Sequence, residues 1–215
     1  MARGLWCAVE HAVAPDLRRV NGRSVSWTVN SLEYPDPTLT DGMVVLRPWA
    51  MTDLRCIEEA GWDTRIPTGT TVPSVYSEAE GRAFVQRQLG RQTKGEGLAL
   101  AIADAASNEA VGQIVLLFRP QTTGVAGLGF WIIQRARRRG IATGAAKLLT
   151  FWALREGSLD RVEALVEPDN AVSVRVLEAV GFQREGLLRS YLSLDGRRAD
   201  AFLYSMLPQD LGYGS

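Results

Sequence analysis

Apolar residues along the chain recur with two different periods, and the combination of the two predicts a mixed α+β domain. Short runs rich in β-branched and aromatic residues predict seven strands, near residues 43–49, 98–103, 110–118, 127–133, 162–166, 183–194 and 199–207. Stretches in which apolar residues return every three or four positions predict four helices, over residues 53–60, 78–92, 141–155 and 171–180. Several strands follow one another directly, so the pattern favours an α+β layer over a regular βαβ winding.

The periodicity is poor at both ends of the chain, which predicts one domain with terminal extensions. Residues 1–40 are expected to form an irregular N-terminal extension, with Val25–Val29 as its candidate strand. The domain itself is predicted over residues 41–210, and residues 211–215 are a short tail. Inside the domain, the segment Gly61–Pro73 contains Pro67 and Gly69 and is predicted to be a loop.

Capping residues mark the ends of the predicted helices. Thr52 or Asp53 is expected to cap the first helix, and Ser77 the second, with Glu80 at the capping-box position. Gly181 is expected to end the last helix, because glycine adopts the left-handed conformation that often follows a helix.

Composition excludes several classes of protein. The 215 residues include 24 Lys and Arg and 24 Asp and Glu, a balance that does not favour a nucleic-acid partner. No apolar run reaches the roughly 18 residues of a membrane span, and a signal peptide is not expected. Cys7 and Cys56 are the two cysteines and give no disulfide framework, so we expect a cytoplasmic protein.

A single histidine narrows the chemistry further. His11 lies in the predicted extension, and a Ser-His-Asp triad or a zinc site with histidine ligands would have to use it. The two cysteines are also too few for a cysteine-rich metal site. We therefore expect no metal.

A basic, glycine-containing loop between a strand and a helix predicts an anion site. The sequence Arg137-Arg138-Arg139-Gly140-Ile141-Ala142-Thr143-Gly144 leads into the helix predicted from Ile141. The first N–H groups of a helix lack partners within the helix, and the helix dipole adds partial positive charge. The loop matches neither the GxxxxGK[ST] nor the GxGxxG phosphate motif. The pattern that it does carry is Arg-x-x-Gly-x-Ala at residues 137–142.

A second block follows about twenty residues after that loop. It contains the strand at 162–166, the turn Pro168-Asp169-Asn170, the helix at 171–180 and then Gly181-Phe182. Glu185-Gly186, Tyr191-Leu192 and the hairpin sequence at 195–200 come next.

In this order, the two blocks resemble the GCN5-related N-acetyltransferases (GNAT), and in particular the ribosomal-protein alanine N-acetyltransferases of the RimJ and RimL type. The resemblance covers roughly residues 43–208. It implies the GNAT fold, in which a mixed, mostly antiparallel sheet of about seven strands is splayed at the cofactor site and flanked by about four helices. It also implies N-acetyl transfer.

The resemblance implies acetyl-CoA as the cosubstrate. Its pantetheine arm would pair like an added strand with the backbone of Ile132, Ile133 and Gln134, where a backbone N–H would polarise the thioester carbonyl. Asn170 and the basic loop would complete the cofactor site, the loop residues being Arg137, Arg138, Arg139, Gly140, Ile141, Ala142, Thr143 and Gly144. The alternative for the arginines, including Arg135, is a solvated loop.

The catalytic residues are predicted from the same resemblance. Asn170 would hold the cofactor or a water and Ser173 would protonate the departing thiolate, the alternative being an Asx-type helix cap. Leu177 stands where many members carry a tyrosine acid, and Ser190 where related enzymes carry a glutamate. Glu163 is therefore our candidate for the base, and its alternative role is a surface carboxylate on a half-buried strand.

The predicted function is transfer of an acetyl group from acetyl-CoA to a primary amine by direct attack in a ternary complex, because no residue presents itself as an activated nucleophile. A protein N-terminal α-amine is one candidate acceptor. A small-molecule or antibiotic amine is the first alternative, and a non-catalytic CoA-binding or scaffold protein is the second. A homodimer is left open.

Overall fold

The computed structural model describes residues 6–7, 32–119, 122, 124–194 and 196–212. Its helices are α1 Leu54–Gly61, α2 Arg65–Gly69, α3 Glu78–Thr93, α4 Ile141–Arg155 and α5 Ala171–Val180. Its strands are β1 Trp6–Cys7, β2 Leu39–Thr40, β3 Val44–Arg47, β4 Gly97–Asp104, β5 Ala110–Phe118, β6 Val125–Ile132, β7 Arg161–Val166, β8 Gln183–Leu194 and β9 Arg197–Met206.

The strands form a single mixed sheet in the order β2-β3-β4-β5-β6-β7-β9-β8, with β1 pairing separately with β6. Neighbours in the sheet are antiparallel except β6 and β7, which are parallel. The predicted α+β fold is confirmed, and each of the seven predicted strands and four predicted helices is present. The two-residue strands β1 and β2 lie within the predicted extension. Val25–Val29, Thr123 and Asp195 lie outside the described residues.

Helix α2 was not predicted, because Pro67 and Gly69 favour a loop. Pro67 is the third residue of the helix, where the N–H that proline lacks would have no partner within the helix. The carboxylate of Asp63 accepts a hydrogen bond from the Arg65 N–H at 3.1 Å, and Ile66 is fully buried. The helix therefore depends on contacts with the rest of the domain.

The other helices form two pairs on the sheet. Helices α1 and α3 pack against each other and on β5 and β4, whereas α4 covers β3, β5, β6 and β7 and packs against α5. In the core, the rings of Trp49 and Phe84 meet edge to face with centroids 5.3 Å apart, and Trp49 also contacts Trp131 of β6. The predicted Ser77 cap is confirmed, since its side chain accepts from the Glu80 N–H at 3.2 Å.

The sheet opens between its two parallel strands. Pairing of β6 with β7 ends at Gly127 and Glu163, although β6 continues to Ile132 and β7 to Val166. The Ile133 N–H donates to Val111 of β5, so by strand alternation the backbone groups of Leu128, Phe130 and Ile132 face the opening. The resemblance predicted this splay. Strand β1 pairs along the same edge, with Cys7 opposite Phe130.

Candidate active site

The basic loop turns sharply into α4. Gly140 is the N-cap at a φ of 78°, and Arg138 is also left-handed at 63°, a strained conformation for a residue with a side chain. The N–H groups of Ile141, Ala142 and Thr143 have no acceptor within the helix. These N–H groups are donors of the kind that the predicted anion site requires.

Gly144 makes structural contacts that the sequence did not predict. Its N–H donates to the Gly140 carbonyl at 3.0 Å, so it is used within the helix. A Cβ at this position would collide with the Asp41 carboxylate, and the glycine therefore allows α4 to approach the turn between β2 and β3.

A cavity of about 460 Å³, within the usual range for ligand pockets, lies between the loop and α5. Seven predicted cofactor residues line it: Ile132, Arg137, Arg138, Gly140, Ile141, Ala142 and Thr143. The opposite wall is formed by Val172, Arg175 and Val176 of α5, which the sequence analysis missed. Arg175 follows Asn170 in the second block by five residues, and this proximity in sequence was the available signal.

Two further predicted cofactor residues do not face this site. The Ile133 N–H is bonded to β5, and Gln134 begins a 3₁₀ turn that ends at Ala136. Of the three residues predicted to pair with the pantetheine arm, only Ile132 presents its backbone to the opening. Phe130 and Leu128 extend the same edge toward the closed end.

The arginine cluster is largely engaged in ion pairs. Arg135 pairs with Glu59 at 2.8 Å and also with Glu109. Arg139 pairs with Asp104 at 3.0 Å, and Arg137 is bonded to Asp63. In the described part of the chain, Arg138 is the member of this cluster without an ion pair. We therefore expect the phosphates to contact Arg138 and, on α5, Arg175.

A second cavity, of about 940 Å³, lies on the other side of the turn between β7 and α5. It is bounded by α2, by residues 167–169 and by the turn end of the β8–β9 hairpin. Glu167, Asp169 and Asp200 supply carboxylates, and Arg65, Arg197 and Arg198 supply guanidinium groups. The Glu167 carboxylate accepts from Arg197 at 2.6 Å.

Asn170 is the N-cap of α5 and Ser173 lies in the first turn of that helix, between the chain segments that line the two cavities. The Asn170 Oδ1 accepts a hydrogen bond from the Ser173 N–H at 3.2 Å, so asparagine does cap α5. Asn170 is 6% exposed and Ser173 is fully buried, and neither lines a cavity. Capping was the alternative role of Asn170 in the sequence analysis, and the hydrogen bond to Ser173 shows that Asn170 has this role. Leu177 is fully buried in the core, and no tyrosine stands there.

The structure does not bring Glu163 to Asn170 and Ser173. Glu163 lies at the closed end, opposite Gly127, where Arg161 pairs with it at 2.9 Å and Arg119 at 3.5 Å. The open end of β7 at Val166 is three residues away, or about 10 Å along a strand. This geometry fits the alternative role of Glu163, a surface carboxylate on a half-buried strand.

The larger cavity is lined by carboxylates that the sequence analysis did not consider as bases. Glu167 comes directly after β7 and lines this cavity. By strand alternation it is on the same face as Glu163. Ser190, where related enzymes carry a glutamate, is left-handed at a φ of 51°, within an irregular stretch of β8. Its N–H donates to the Asp200 carboxylate at 2.7 Å, so Asp200 lies beside that position.

The sequence matches the family model described as an acetyltransferase (GNAT) domain over residues 44–183. The chain belongs to the GNAT acetyltransferase family. The RimJ protein of Mycobacterium smegmatis, solved in complex with CoA-disulfide, is 26% identical with a TM-score of 0.69, covering 79% of this chain and 84% of that one. The predicted resemblance to RimJ-type GNAT enzymes is thus confirmed.

Two curated GNAT relatives are similar over different lengths. The uncharacterized N-acetyltransferase p20 of Bacillus licheniformis is 25% identical over 173 residues, which is 80% of this chain and 97% of that protein. YdaF of Bacillus subtilis, named as a candidate ribosomal N-acetyltransferase, is 33% identical over 99 residues, or 46% of this chain and 54% of YdaF.

The described residues contain no group of three or more His, Cys, Asp or Glu side chains placed to hold a metal ion. None of the described helices is long and apolar enough to cross a membrane.

Proposed function

We propose that this GNAT enzyme transfers an acetyl group from acetyl-CoA to a primary amine by direct attack in a ternary complex. The observation that carries the proposal is the opening between β6 and β7, which has one cavity on either side of the Asn170 turn. The smaller cavity adjoins the end of β6 at Ile132, and the larger one adjoins the end of β7 at Glu167. Two separate cavities suit a reaction between two bound molecules without a covalent enzyme intermediate.

The residues of the smaller cavity, which we call the cofactor cavity, fit coenzyme A. The N–H groups of Ile141, Ala142 and Thr143 would hold the pyrophosphate, with Arg138 and Arg175 as cationic partners. The pantetheine arm would pair with the β6 edge at Phe130 and Ile132. Because the Ile132 carbonyl already accepts from Arg137 Nε at 2.9 Å, its N–H and the backbone of Phe130 are the remaining groups. The arm would take the place of β1.

The cofactor supplies an acetyl thioester, and the protein residues position it and move protons. The neutral amine attacks the acetyl carbonyl, a C–N bond forms, the C–S bond breaks, and the sulfur leaves as a thiolate that takes up a proton. Asn170 would position the cofactor or a water, and Ser173 would supply that proton once the turn opens. The larger cavity, which we call the acceptor-side cavity, would hold the amine. The amine loses its proton to solvent or to a carboxylate of this cavity, and Glu167 and Asp200 are the candidate carboxylates.

We infer that a protein N-terminal α-amine is the acceptor. An α-amine has an ordinary pKa near 8 and therefore needs only a weak base, whereas a lysine side chain near 10.4 needs more help. The absence of an identified strong base in the described site favours the α-amine. The likeness to RimJ and YdaF supports the same acceptor class. A small-molecule or antibiotic amine is the alternative acceptor, and a non-catalytic CoA-binding protein the alternative function.

Release of free thiol from acetyl-CoA tests these alternatives directly. We expect turnover with peptides that carry a free α-amine, and none with the same peptides blocked at the N-terminus. Turnover with aminoglycoside-type amines but not with peptides would support the small-molecule alternative. CoA binding without turnover on any acceptor would support the non-catalytic one.

A further inference from the structure

One carboxylate joins the cofactor loop to the wall of the acceptor-side cavity. Asp63 lies between α1 and α2, and its two oxygens bind different partners. Oδ2 accepts from Arg137 Nη2 at 2.7 Å, and Oδ1 accepts from the backbone N–H of Arg65 at 3.1 Å. The Arg137 and Asp63 side chains are only 15% and 17% exposed, so solvent screens this pair less than a surface pair.

The partners of Asp63 lead to the two cavities. Arg137 lines the cofactor cavity, and its Nε also holds the Ile132 carbonyl at the sheet opening. Arg65 is the first residue of α2 and lines the acceptor-side cavity together with Thr68. A continuous chain of bonds therefore runs from the cofactor loop through Asp63 to α2.

Helix α2 is a suitable element to respond to this chain of bonds. It has five residues, and a helix of this length is not stable without tertiary contacts. A pantetheine arm paired at Ile132 would hold the segment whose carbonyl binds Arg137, and through Arg137 the carboxylate that holds the start of α2. The other ion pairs of the loop do not reach α2, since Arg139 binds Asp104 at the end of β4 and Arg135 binds Glu59 of α1.

From this geometry we propose that Asp63 is a positioning residue that couples cofactor binding to the order of the acceptor wall. The inference rests on the proposed function for the location of the two sites. Binding of CoA would stabilise α2, and an acceptor would then bind better to the cofactor complex than to the free enzyme. The coupling is reciprocal, and couplings of this kind typically change affinity by about 5- to 150-fold.

Hydrogen exchange of the full chain with and without CoA tests the coupling. In the parent protein, we expect CoA to slow exchange of the α2 amides by at least about fivefold. In Asp63→Asn, the side-chain oxygen can still accept from the Arg65 N–H, but the neutral amide loses the ion pair with Arg137. We expect this variant to bind CoA without the added protection of α2.

Asp104→Asn is the matched control. It removes the charge from an ion pair with the neighbouring Arg139 in the same loop, and this pair does not touch α2. We expect CoA to protect α2 in this variant as in the parent. Loss of protection in both variants would show a general loosening of the loop and would overturn the role of Asp63.

Full protection of α2 by CoA in Asp63→Asn would also overturn the inference. If Asp63→Asn does not fold, Arg137→Gln cuts the same bond from the other side and should show the same loss of coupling. Failure of CoA to bind the parent protein is a separate result, because it contradicts the proposed function rather than the coupling.

Discussion

At the scale of single residues, two glycines four positions apart serve different purposes in the cofactor loop. Gly140 has the left-handed backbone that turns the chain into α4, and open space surrounds the position of its missing Cβ. Gly144 has a helical backbone and leaves room for the Asp41 carboxylate. A substitution of Gly140 therefore acts through backbone strain and charge rather than through collision.

Gly140→Asp should weaken CoA binding. The aspartate adds strain to the turn and places a negative charge at the N-terminus of α4, where the pyrophosphate is proposed to bind. We expect at least a tenfold loss of affinity by calorimetry, equivalent to about 1.4 kcal/mol. Gly42→Asp is the matched control, since Gly42 is also left-handed and surrounded by open space. Equal affinities of Gly140→Asp and the parent would contradict the anion site.

Glu163→Gln should leave the pH dependence of kcat/KM unchanged with an α-amine acceptor. Glu163 is held by Arg161 and Arg119 at the closed end of the splay, away from the Asn170 turn. The check is the pH profile of the variant against that of Glu167→Gln, which alters a carboxylate in the acceptor-side cavity. A flattened profile in Glu163→Gln would restore Glu163 as the base.

At the scale of elements, a polar network joins the three strands at the closed side of the sheet. Arg161 of β7 donates two hydrogen bonds to Glu185 of β8, at 2.8 and 2.6 Å. Ser205 of β9 donates to the same carboxylate. The hydrogen bonds from Arg161 and then from Ser205 hold the pKa of Glu185 at about 2, well below its ordinary value.

Glu185→Gln should lower stability in a pH-dependent way. Because the folded pKa lies below that of the unfolded chain, the ionised carboxylate stabilises the fold above about pH 4.5, and this contribution is lost as the pH falls toward about 2. The side chain is 40% exposed, so we expect a difference of at most about 1 kcal/mol at pH 7. Urea unfolding of parent and variant from pH 7 to pH 2.5 checks it.

The control for that experiment is Glu156→Gln, an exposed glutamate after α4 that makes no ion pair in the described part of the chain. It should change stability little at either pH. If the difference in free energy of unfolding between Glu185→Gln and the parent stays constant down to pH 2.5, the stability of the network does not depend on the ionised carboxylate.

At the scale of the whole molecule, strand β1 and the cofactor meet at one edge. Cys7 is opposite Phe130, whose backbone faces the opening that the pantetheine arm is proposed to use. The two occupants would exclude one another at this position. The apparent affinity for CoA would then be its intrinsic affinity multiplied by the fraction of molecules in which β1 is not paired.

Cys7→Pro should raise the affinity for CoA several-fold. Proline has no N–H to pair with Phe130, so the variant releases the edge of β6. Cys7→Ala is the matched control, since it changes the side chain and keeps the N–H. Calorimetric titration of both variants with CoA is the measurement. The same affinity in Cys7→Pro and Cys7→Ala would show that β1 does not compete with the cofactor.

Sequence reasoning was most accurate where a structural feature depends on neighbouring residues. Helices α4 and α5 begin and end as predicted, because an apolar period, Gly140 and Gly181 set their limits locally. The free N–H groups at the start of α4 follow from the same local rule, since the start of any helix leaves N–H groups without partners. Sequence reasoning failed at α2, where burial of Ile66 and the hydrogen bond that Asp63 accepts from Arg65 outweigh the local effect of Pro67 and Gly69.

By itself, the sequence determined the α+β class, the order of the elements, the loop that precedes α4 and the family resemblance, because adjacent residues encode each of these. The tertiary structure decided which groups are free to act. Arg137 and Asp63 are 74 residues apart in sequence, yet they form the bond that removes Arg137 from the free cations of the loop. Glu163 is likewise engaged by Arg119, a residue from another part of the chain. Local patterns carry no information about such distant partners, and these partners decide the charge and position of each candidate residue.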